Sequence, residues 1–396
     1  MDSSSGERKR RDVSELTSKL DIERAGKLLD IPVYRITGAI QRKTLQYVWG
    51  KHELFRFDKP ISTVEGGTSI FIEPLDIVRG YPKISRTLML HPALERHFSS
   101  CRSVAVEEKM NGYNVRVALI GDEIAGLTRG GFVCPYTTEK ANELISREFF
   151  QDYPGLVLCG EMVGPDNPYV PKSIYDIESL EFYAFDIREK ISGIPMPVME
   201  RRALAGEYGI KSVRLFGEYD VEEAHHEVER IIRGFGDSLH EGVVIKDPQM
   251  RLPPIKYTSS LSNCSDLRYA FEFYNDLGRD FFFPRVCREA FQSVEWDENE
   301  EDRRKRCTRL GESILLPMIS TIQRKRKGER ISETVQIRVK NLKTAKDFEE
   351  HLRLLGVDAI FEEPEQIGDE YLIKIRKIYR STNDKTESTL RGELWS

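Results

Sequence analysis

A lysine stands at the corner between two apolar segments of the sequence. Residues 104–106 form an apolar run that leads to Lys109, and Asn111 with Gly112 makes a typical turn pair. From residue 115 the sequence again alternates apolar and polar side chains, so the pattern predicts a strand that bends into its neighbour at Lys109. Such a lysine is either a solvated turn residue or a nucleophile whose amine is kept partly neutral by nearby cations. The spacing Lys-x-x-Gly alone does not distinguish these two roles, because ordinary composition produces it by chance.

The overall charge gives no sign of a polyanionic partner. The 396 residues carry a formal net charge of -5, so any surface for nucleic acid would have to come from local segregation of basic residues. Basic clusters do occur at residues 8–11, 303–309 and 324–327, although such runs are usually solvated helix faces or tails.

The cysteines and the hydrophobic segments indicate an intracellular protein. Six cysteines and seven histidines are scattered without metal-ligand spacing. No N-terminal stretch resembles a signal peptide, and no segment approaches the roughly eighteen apolar residues of a membrane span. We therefore expect a cytoplasmic protein without a membrane-spanning segment.

Changes in composition predict four parts, in agreement with the two to four domains usual for this length. They are an N-terminal module at residues 1–95, a central domain at 96–260, a helical domain at 261–329 and a small α+β module at 330–396. Residues 1–12 are rich in serine and basic residues and are expected to form a disordered tail.

Two local patterns lead to further expectations. In the N-terminal module, helical spacing predicts a helix over residues 13–29, whereas residues 33–40 and 54–57 resemble short strands. The helical domain carries more aromatic residues than so short a segment usually buries, and a homodimer face is the simplest explanation. These aromatic residues are Tyr269, Phe271, Phe273, Tyr274 and residues 281–283.

The segments that follow the lysine corner place charged or aromatic residues on or beside predicted strands. These residues are Arg129, Glu161, Phe185, Glu241, Lys246 and Lys256. Taken singly, each has an ordinary structural explanation, since Glu161 fits the polar face of a half-buried strand and Phe185 fits a core.

Together these residues match the needs of covalent nucleotidyl transfer. An amine that attacks the α-phosphate of ATP must lose its proton, and Lys246, Lys256 and a bound metal would lower the pKa of Lys109 by charge repulsion. A carboxylate such as Glu241 would help to hold the divalent ion that orients the pyrophosphate. An aromatic face would stack on the base, and a glutamate with an arginine would fix the ribose hydroxyls.

The order of these positions resembles the signature motifs of the covalent nucleotidyltransferase superfamily of polynucleotide ligases and mRNA capping enzymes. The matching segments are KMNG at 109–112, TRG at 128–130, LCGEMVG at 158–164, FYAFD at 182–186, EGVVIK at 241–246 and IKYT at 255–258. Over most of its length the chain is most similar to ATP-dependent RNA ligases of the archaeal homodimeric type. The resemblance implies an α+β fold with a ligase-type nucleotidyltransferase domain of ATP-grasp-like antiparallel sheets and helices. That domain would be flanked by the N-terminal module, a helical dimerisation domain and the C-terminal module.

The resemblance also implies a role for each matching residue. Lys109 would form the lysyl-adenylate, and Glu108 would help to recognise the adenine. Arg129 and Glu161 would contact the ribose, and Phe185 would stack on the purine. The remaining roles are metal binding by Glu241 and phosphate contacts by Lys246 and Lys256.

Three positions separate this chain from the common pattern. Asn111 stands where the aspartate two residues after the nucleophile is common, and Thr258 replaces the second lysine of the KxK strand. Asn114, five residues after the nucleophile, is typical of RNA ligases and is counted among the nucleotide-binding residues. Arg116 has no assigned role, since it fits a triphosphate ligand or the partner of a surface carboxylate equally well.

The expected function is joining of RNA 5′-phosphate and 3′-hydroxyl ends, with ATP and Mg²⁺ or Mn²⁺ as cofactors. The resemblance implies a homodimer that also circularises single-stranded RNA. The alternatives are a DNA ligase or a capping guanylyltransferase, although the region after Lys256 looks helical and those enzymes usually continue into an OB barrel. A nucleotide-dependent RNA-binding protein without turnover is the non-enzymatic alternative.

Overall fold

The computed structural model describes residues 13–170 and 174–394, so the tail predicted over residues 1–12 lies outside the described residues. The helices are α1 (Val13–Ser18), α2 (Ile22–Leu29), α3 (Val33–Gln41), α4 (Leu90–His97), α5 (Pro135–Leu144), α6 (Arg147–Asp152), α7 (Val198–Glu207), α8 (Ala224–Gly234), α9 (Ser260–Glu272), α10 (Arg279–Glu295), α11 (Glu300–Arg326), α12 (Leu342–Leu354) and α13 (Arg380–Leu390). Among these described helices, none combines the length and the apolar character needed to cross a bilayer.

The strands are β1 (Leu45–Val48), β2 (Leu54–Phe57), β3 (Ser69–Phe71), β4 (Asp76–Val78), β5 (Ser85–Arg86), β6 (Ser103–Lys109), β7 (Tyr113–Ile120), β8 (Glu123–Thr128), β9 (Leu156–Val163), β10 (Glu181–Glu189), β11 (Leu215–Asp220), β12 (Gly242–Lys246), β13 (Ile255–Thr258), β14 (Ser332–Val339), β15 (Ala359–Phe361), β16 (Glu365–Ile367) and β17 (Glu370–Ile378). Their orders in the sheets are β1-β2-β3-β4, β10-β9-β7-β8, β11-β6-β12-β13-β5 and β14-β17-β15, with β16 paired to β17. Mixed helices and largely antiparallel sheets confirm the predicted α+β class.

Contacts between residues group the chain into two compact units. The first comprises the described residues of 1–83 together with 114–159 and 186–195, and the second comprises those of 84–113, 160–185 and 196–396. The lysine corner therefore belongs to the second unit up to residue 113.

Helices α1 to α3 of the first unit differ in part from the sequence prediction. The strand expected over residues 33–40 is wrong, because that segment forms helix α3 with Ile36, Ala39 and Ile40 buried at helical spacing. The helix expected over residues 13–29 is interrupted before Asp21, which caps α2 by accepting from the backbone N–H of Arg24. The strand expected over residues 54–57 is confirmed as β2.

The five-stranded sheet β11-β6-β12-β13-β5 is the centre of the second unit. One of its faces contributes Val104, Val106, Val243, Ile245 and Tyr257 to a buried core that α4 and α8 complete. Because side chains alternate along a strand, the intervening residues of β6, β12 and β13 project to the opposite face. That opposite face carries Glu107, Lys109, Lys246 and Lys256.

Some aromatic residues of the predicted dimer face pack against the C-terminal module. Phe273 is 2% exposed and its ring stacks on that of Tyr379 with centroids 3.7 Å apart. Tyr274 shares a hydrogen bond with Thr386 of α13. The C-terminal module thus covers Phe273 and Tyr274, whereas Phe283 is 49% exposed, and the dimer face stays a prediction.

The C-terminal module also holds the loop that follows β9. Gln336 Nε2 donates to Asp166 Oδ1 at 2.6 Å, and Arg338 Nε forms an ion pair with Asp166 Oδ2 at 3.3 Å. Asp166 is fully buried. Next to it, the Tyr169 hydroxyl lies 3.2 Å from His351 Nε2 of α12.

Candidate active site

Strand register places the lysines of the motifs on one face of the five-stranded sheet. Lys109, the last residue of β6, is opposite Gly242 of β12, which is in turn opposite Thr258 of β13. Residues in register across neighbouring strands project to the same face of a sheet. The adjacent row on that face consists of Glu107, Val244, Lys256 and Arg86. Lys246 lies on the same face, two residues along β12 from Val244.

Lys109 is held in contact with Glu241. Its Nζ donates to Glu241 Oε2 at 2.6 Å, and the lysine side chain is 20% exposed. Burial lowers the pKa of Lys109, whereas Glu241 and Glu161 raise it, and the net result is a raised pKa. The carboxylates outweigh burial, so the lowered pKa that the sequence predicted, with a bound metal among its causes, is not found in the protein alone. A raised pKa keeps Lys109 an ammonium ion at neutral pH in the protein alone.

Lys246 belongs to a buried charge network around Glu107. Its Nζ donates to Glu107 Oε2 at 2.7 Å and to the Phe185 carbonyl at 2.6 Å. Arg201 binds the other carboxylate oxygen of Glu107, which Arg202 also approaches at 3.2 Å. Burial raises the pKa of Glu107, but Lys246 and Arg201 outweigh burial and leave the pKa below its ordinary value. Through the carbonyl of Phe185, the network connects the charged face of the five-stranded sheet to β10.

The turn after Lys109 depends on close contact with β9. A Cβ atom on Gly112 would lie 2.2 Å from the carbonyl oxygen of Met162 and 3.0 Å from Glu161 Cγ, so a side chain at residue 112 cannot be accommodated without a shift. The Tyr175 hydroxyl accepts from the backbone N–H of Asn111 at 3.0 Å. These contacts bring Glu161 to the side of Lys109, as its effect on the lysine pKa also shows.

Glu108 points away from Lys109, toward His240. The His240 ring nitrogen Nδ1 lies 2.7 Å from Glu108 Oε1, and the Tyr175 ring packs edge-on against His240 with centroids 5.5 Å apart. Burial, together with the charge of Glu108, raises the pKa of Tyr175. Phe185 and Tyr175 are half-buried in one small cluster with Met110. Two aromatic rings therefore lie beside the lysine corner, where the sequence indicated only Phe185.

The remaining predicted residues, Arg129 and Asn114, belong to the first unit. Arg129 is exposed in the turn that follows β8. The backbone of this turn is fixed by Arg116, whose guanidinium donates to the carbonyls of Thr128, Gly67 and Arg79 at 2.9, 2.9 and 2.6 Å.

Arg116 is fully buried, and burial lowers its pKa to about 10. Both roles left open for it, triphosphate binding and pairing with a surface carboxylate, are wrong. Arg116 instead stabilises the turn that carries Arg129, by donating hydrogen bonds to backbone carbonyl groups.

The two asparagines that distinguish the motif have buried polar atoms with nothing to bond to in the described parts of the chain. These atoms are Asn111 Nδ2 and Asn114 Oδ1. Buried polar groups are normally hydrogen-bonded, so each of these atoms can serve a ligand without breaking an existing bond.

The carboxylates around Lys109 fit a divalent cation that is held partly by a substrate. Across residues 13–170 and 174–394, no cluster of three His, Cys, Asp or Glu residues is arranged to hold a metal ion. Mg²⁺ typically uses only one or two carboxylates and takes its other ligands from water and substrate phosphates. Glu241 and Glu161 supply such hard oxygen donors at the lysine.

Several site residues were not found from the sequence. Glu107, Arg201, His240 and Tyr175 were overlooked, although Glu107 could have been identified from alternation, which puts it on the same face as Lys109. Arg201 carried no such signal, because its position depends on how α7 packs.

Comparisons with known proteins agree with the motif resemblance. A family profile described as "RNA ligase" matches residues 102–258, and another described as "Ligase Pab1020 C-terminal region" matches residues 269–393. The chain is 39% identical over 388 residues to "Uncharacterized protein MJ0414" of Methanocaldococcus jannaschii, covering 96% of this chain and 98% of that protein.

Two solved structures match almost the whole chain. "Archaeal ATP-dependent RNA ligase - form 1" is 44% identical with a TM-score of 0.89, over 95% of this chain and 100% of that chain. A structure from Aquifex aeolicus, provisionally named an ATP-dependent DNA ligase, is 25% identical with a TM-score of 0.85, over 91% of this chain and 99% of that chain. With its lysine corner, its motif order and these whole-length matches, the chain belongs to the family of archaeal ATP-dependent RNA ligases.

Proposed function

We propose that this chain joins RNA ends through a covalent lysyl-AMP intermediate. Lys109 Nζ, once deprotonated, attacks the α-phosphorus of ATP, so that an N–P bond forms and the bond to the departing pyrophosphate breaks. AMP then passes to an RNA 5′-phosphate, and a 3′-hydroxyl displaces it to form the phosphodiester. The observation that supports this proposal most directly is the position of Lys109, partly buried in contact with Glu241 on the sheet face that also carries Lys246 and Lys256.

The other residues position the nucleotide. Phe185 stacks on the purine, Glu108 contributes to adenine recognition, and Glu161 with Arg129 binds the ribose hydroxyls. Asn114, with its unsatisfied buried oxygen, completes the nucleotide-binding set. Catalysis then consists mainly of positioning and of neutralising phosphate charge, for which Lys246 and Lys256 are suited.

Glu241 is the residue that holds the divalent cation, Mg²⁺ or Mn²⁺. When bound, the cation supplies charge neutralisation on the phosphates. A cation held by Glu241 would compete for the carboxylate that raises the pKa of Lys109 most strongly. In the protein alone, the contact at 2.6 Å favours the protonated form of Lys109.

We further propose a cytoplasmic homodimer that circularises single-stranded RNA. The six cysteines are free thiols, as expected in a reducing compartment. An exposed apolar stripe on α11 is suited to dimerisation, because its members recur at helical spacing. The stripe consists of Leu315, Leu316, Ile319 and Ile322, which are 59%, 50%, 45% and 37% exposed.

The covalent step is tested by incubating the protein with ATP labelled at the α-phosphate and Mg²⁺. Label should remain on wild-type protein after denaturation, be absent from Lys109→Ala, and be retained by Lys83→Ala, which removes an exposed lysine as a control. Unlabelled wild type, or labelled Lys109→Ala, would refute the mechanism.

The nucleic-acid substrate requires a separate comparison, because one structural relative is named for DNA. A 5′-phosphorylated single-stranded RNA should yield an exonuclease-resistant circle, and a nicked DNA duplex should be sealed much more slowly. Faster sealing of the DNA would identify a DNA ligase instead. Labelling from GTP in place of ATP would point to the capping reaction.

A further inference from the structure

Arg86 is a cation of the sheet face that the motifs do not include. It forms β5 with Ser85, and its register partner across the parallel β5–β13 pair is Lys256. Arg86 therefore ends the row that begins at Glu107, on the face that carries Lys109. Lys109 lies on β6 and Arg86 on β5, with β12 and β13 between them, so three inter-strand spacings place the two strands roughly 14 Å apart.

The guanidinium of Arg86 has little compensation for its charge. Within the described ranges, it makes one hydrogen bond, from Nη1 to the Asn263 side-chain oxygen at 3.1 Å, and no ion pair. A guanidinium has five N–H donors, so most of its donors remain available to a ligand. Two neighbouring arginines differ in this respect, since Arg285 is paired with Asp266 and Arg288 donates to two backbone carbonyls.

Asn263 fixes where Arg86 points. This asparagine is 2% exposed, and its side-chain nitrogen donates to Glu289 Oε1 at 3.0 Å. The same oxygen that receives Arg86 also accepts from the Thr258 hydroxyl at 3.1 Å. Asn263 thus orients Arg86 beside Thr258, the residue in register with Gly242 and Lys109.

The local charges favour an anionic ligand. Burial lowers the pKa of Arg86, the charges of Arg285 and Arg288 lower it further, and Glu241 and Asp266 offset only part of the effect. Glu241 acts on the pKa of both Lys109 and Arg86, so the two cations lie within electrostatic reach of one carboxylate. An added anion would relieve the mutual repulsion of the arginines.

We propose that Arg86, oriented by Asn263, binds the β- and γ-phosphates of ATP, which leave as pyrophosphate. This proposal rests on the proposed nucleotidyl transfer at Lys109. The leaving group must depart on the side opposite the attacking amine, and Arg86 lies on the shared face at the far edge of the sheet from Lys109. Its planar guanidinium suits bidentate contact with phosphate oxygens.

Binding measurements in a Lys109→Ala background separate this role from the chemistry. Arg86→Ala should weaken ATP binding about 10- to 100-fold, as expected for loss of charge-assisted hydrogen bonds, and leave AMP binding unchanged. Arg86→Lys should recover part of the ATP affinity. Arg96→Ala, which removes an exposed arginine of α4, should change neither affinity and is the matched control.

Three outcomes would overturn the assignment. Equal weakening of ATP and AMP would indicate a structural role for Arg86, and unchanged ATP binding would exclude the contact. If Arg86→Ala weakened binding of a 5′-phosphorylated RNA but not of its 5′-hydroxyl form, and left ATP binding unchanged, Arg86 would be assigned to the RNA phosphate. None of these results depends on labelling, so failure of the lysyl-AMP proposal remains distinguishable.

A second measurement uses the intact nucleophile. Adenylylated protein carrying Arg86→Ala should need about 10- to 100-fold more pyrophosphate than wild type to regenerate ATP. Asn263→Ala should shift the pyrophosphate requirement in the same direction by freeing Arg86. An unchanged pyrophosphate requirement in both variants would contradict the proposal.

Discussion

Replacement of Glu107 by glutamine should destabilise the protein strongly, although it removes only one charge. Glu107 is fully buried and Lys246 and Arg201 are each 1% exposed, so the substitution leaves two buried cations without their counter-ion. Breaking a buried ion pair by removing one partner costs about 3–5 kcal/mol. By contrast, Glu300→Gln breaks an exposed pair with Arg304 and should cost less than about 1 kcal/mol.

A double-mutant cycle tests the physical reason for this loss. Lys246→Met alone leaves Glu107 with Arg201 and Arg202, whereas the double variant Glu107→Gln with Lys246→Met removes both charges of the 2.7 Å contact. The double variant should therefore be less destabilised than the sum of the single changes, by about 0.5–3 kcal/mol. Urea unfolding, followed by fluorescence and circular dichroism on all four proteins, provides the free energies. Additive single changes would refute the argument that the two charges support each other.

The same network has a defined dependence on pH. The pKa of Glu107 in the folded protein lies below its ordinary value of 4.5. A lowered carboxyl pKa contributes stability that is fully present above the unfolded-state value and is lost as the pH falls through the folded-state value. The stability difference between wild type and Glu107→Gln should thus be constant between pH 6 and 8 and shrink below about pH 4.5. A difference that grows on acidification would contradict the assignment.

Three further results are expected. Gly112→Ala should abolish labelling from ATP and lower the melting temperature, because its Cβ would meet a backbone carbonyl at 2.2 Å, whereas Gly155→Ala, which meets nothing within 4 Å, should be neutral in both assays. At subsaturating ATP, the second-order rate of adenylylation should rise about tenfold per pH unit between pH 6 and 9, because Glu241 raises the pKa of Lys109 in the free protein despite burial, and a flat profile would exclude deprotonation of the amine as the limiting equilibrium. Leu315→Glu should convert the proposed homodimer to monomer in light scattering, since it places a charge in the exposed stripe of α11, and an unchanged mass would exclude that stripe as the interface.

The strands that carry the motifs could be predicted because their sequence signals are local. The apolar runs of β9 and β12 and the helical spacing of α9 to α11 are each contained within one segment. Helix α3 was mistaken for a strand because its β-branched and aromatic residues favour strands, while burial of Ile36 and Ile40 at helical spacing decided the outcome.

Local sequence patterns could not predict the charge network of the site. Arg116 and Arg201 are buried by segments distant in sequence, and no spacing rule shows which carbonyls or carboxylates they meet. The pKa of Lys109 was expected to be lowered because its lysine neighbours were recognised. The nearness of Glu161 to its ammonium became evident only from the folded turn at Gly112.

The contact of Asp166 with Gln336 and Arg338 constrains how this protein can be shortened or recombined. Deleting the C-terminal module would leave Asp166, fully buried in the folded chain, without two of the partners that hold it. Its loop begins directly after β9, the strand that presents Glu161. A truncated protein that loses activity therefore cannot be taken as evidence that the module binds RNA. In a chimaera of related chains, the loop and the C-terminal module should come from the same parent.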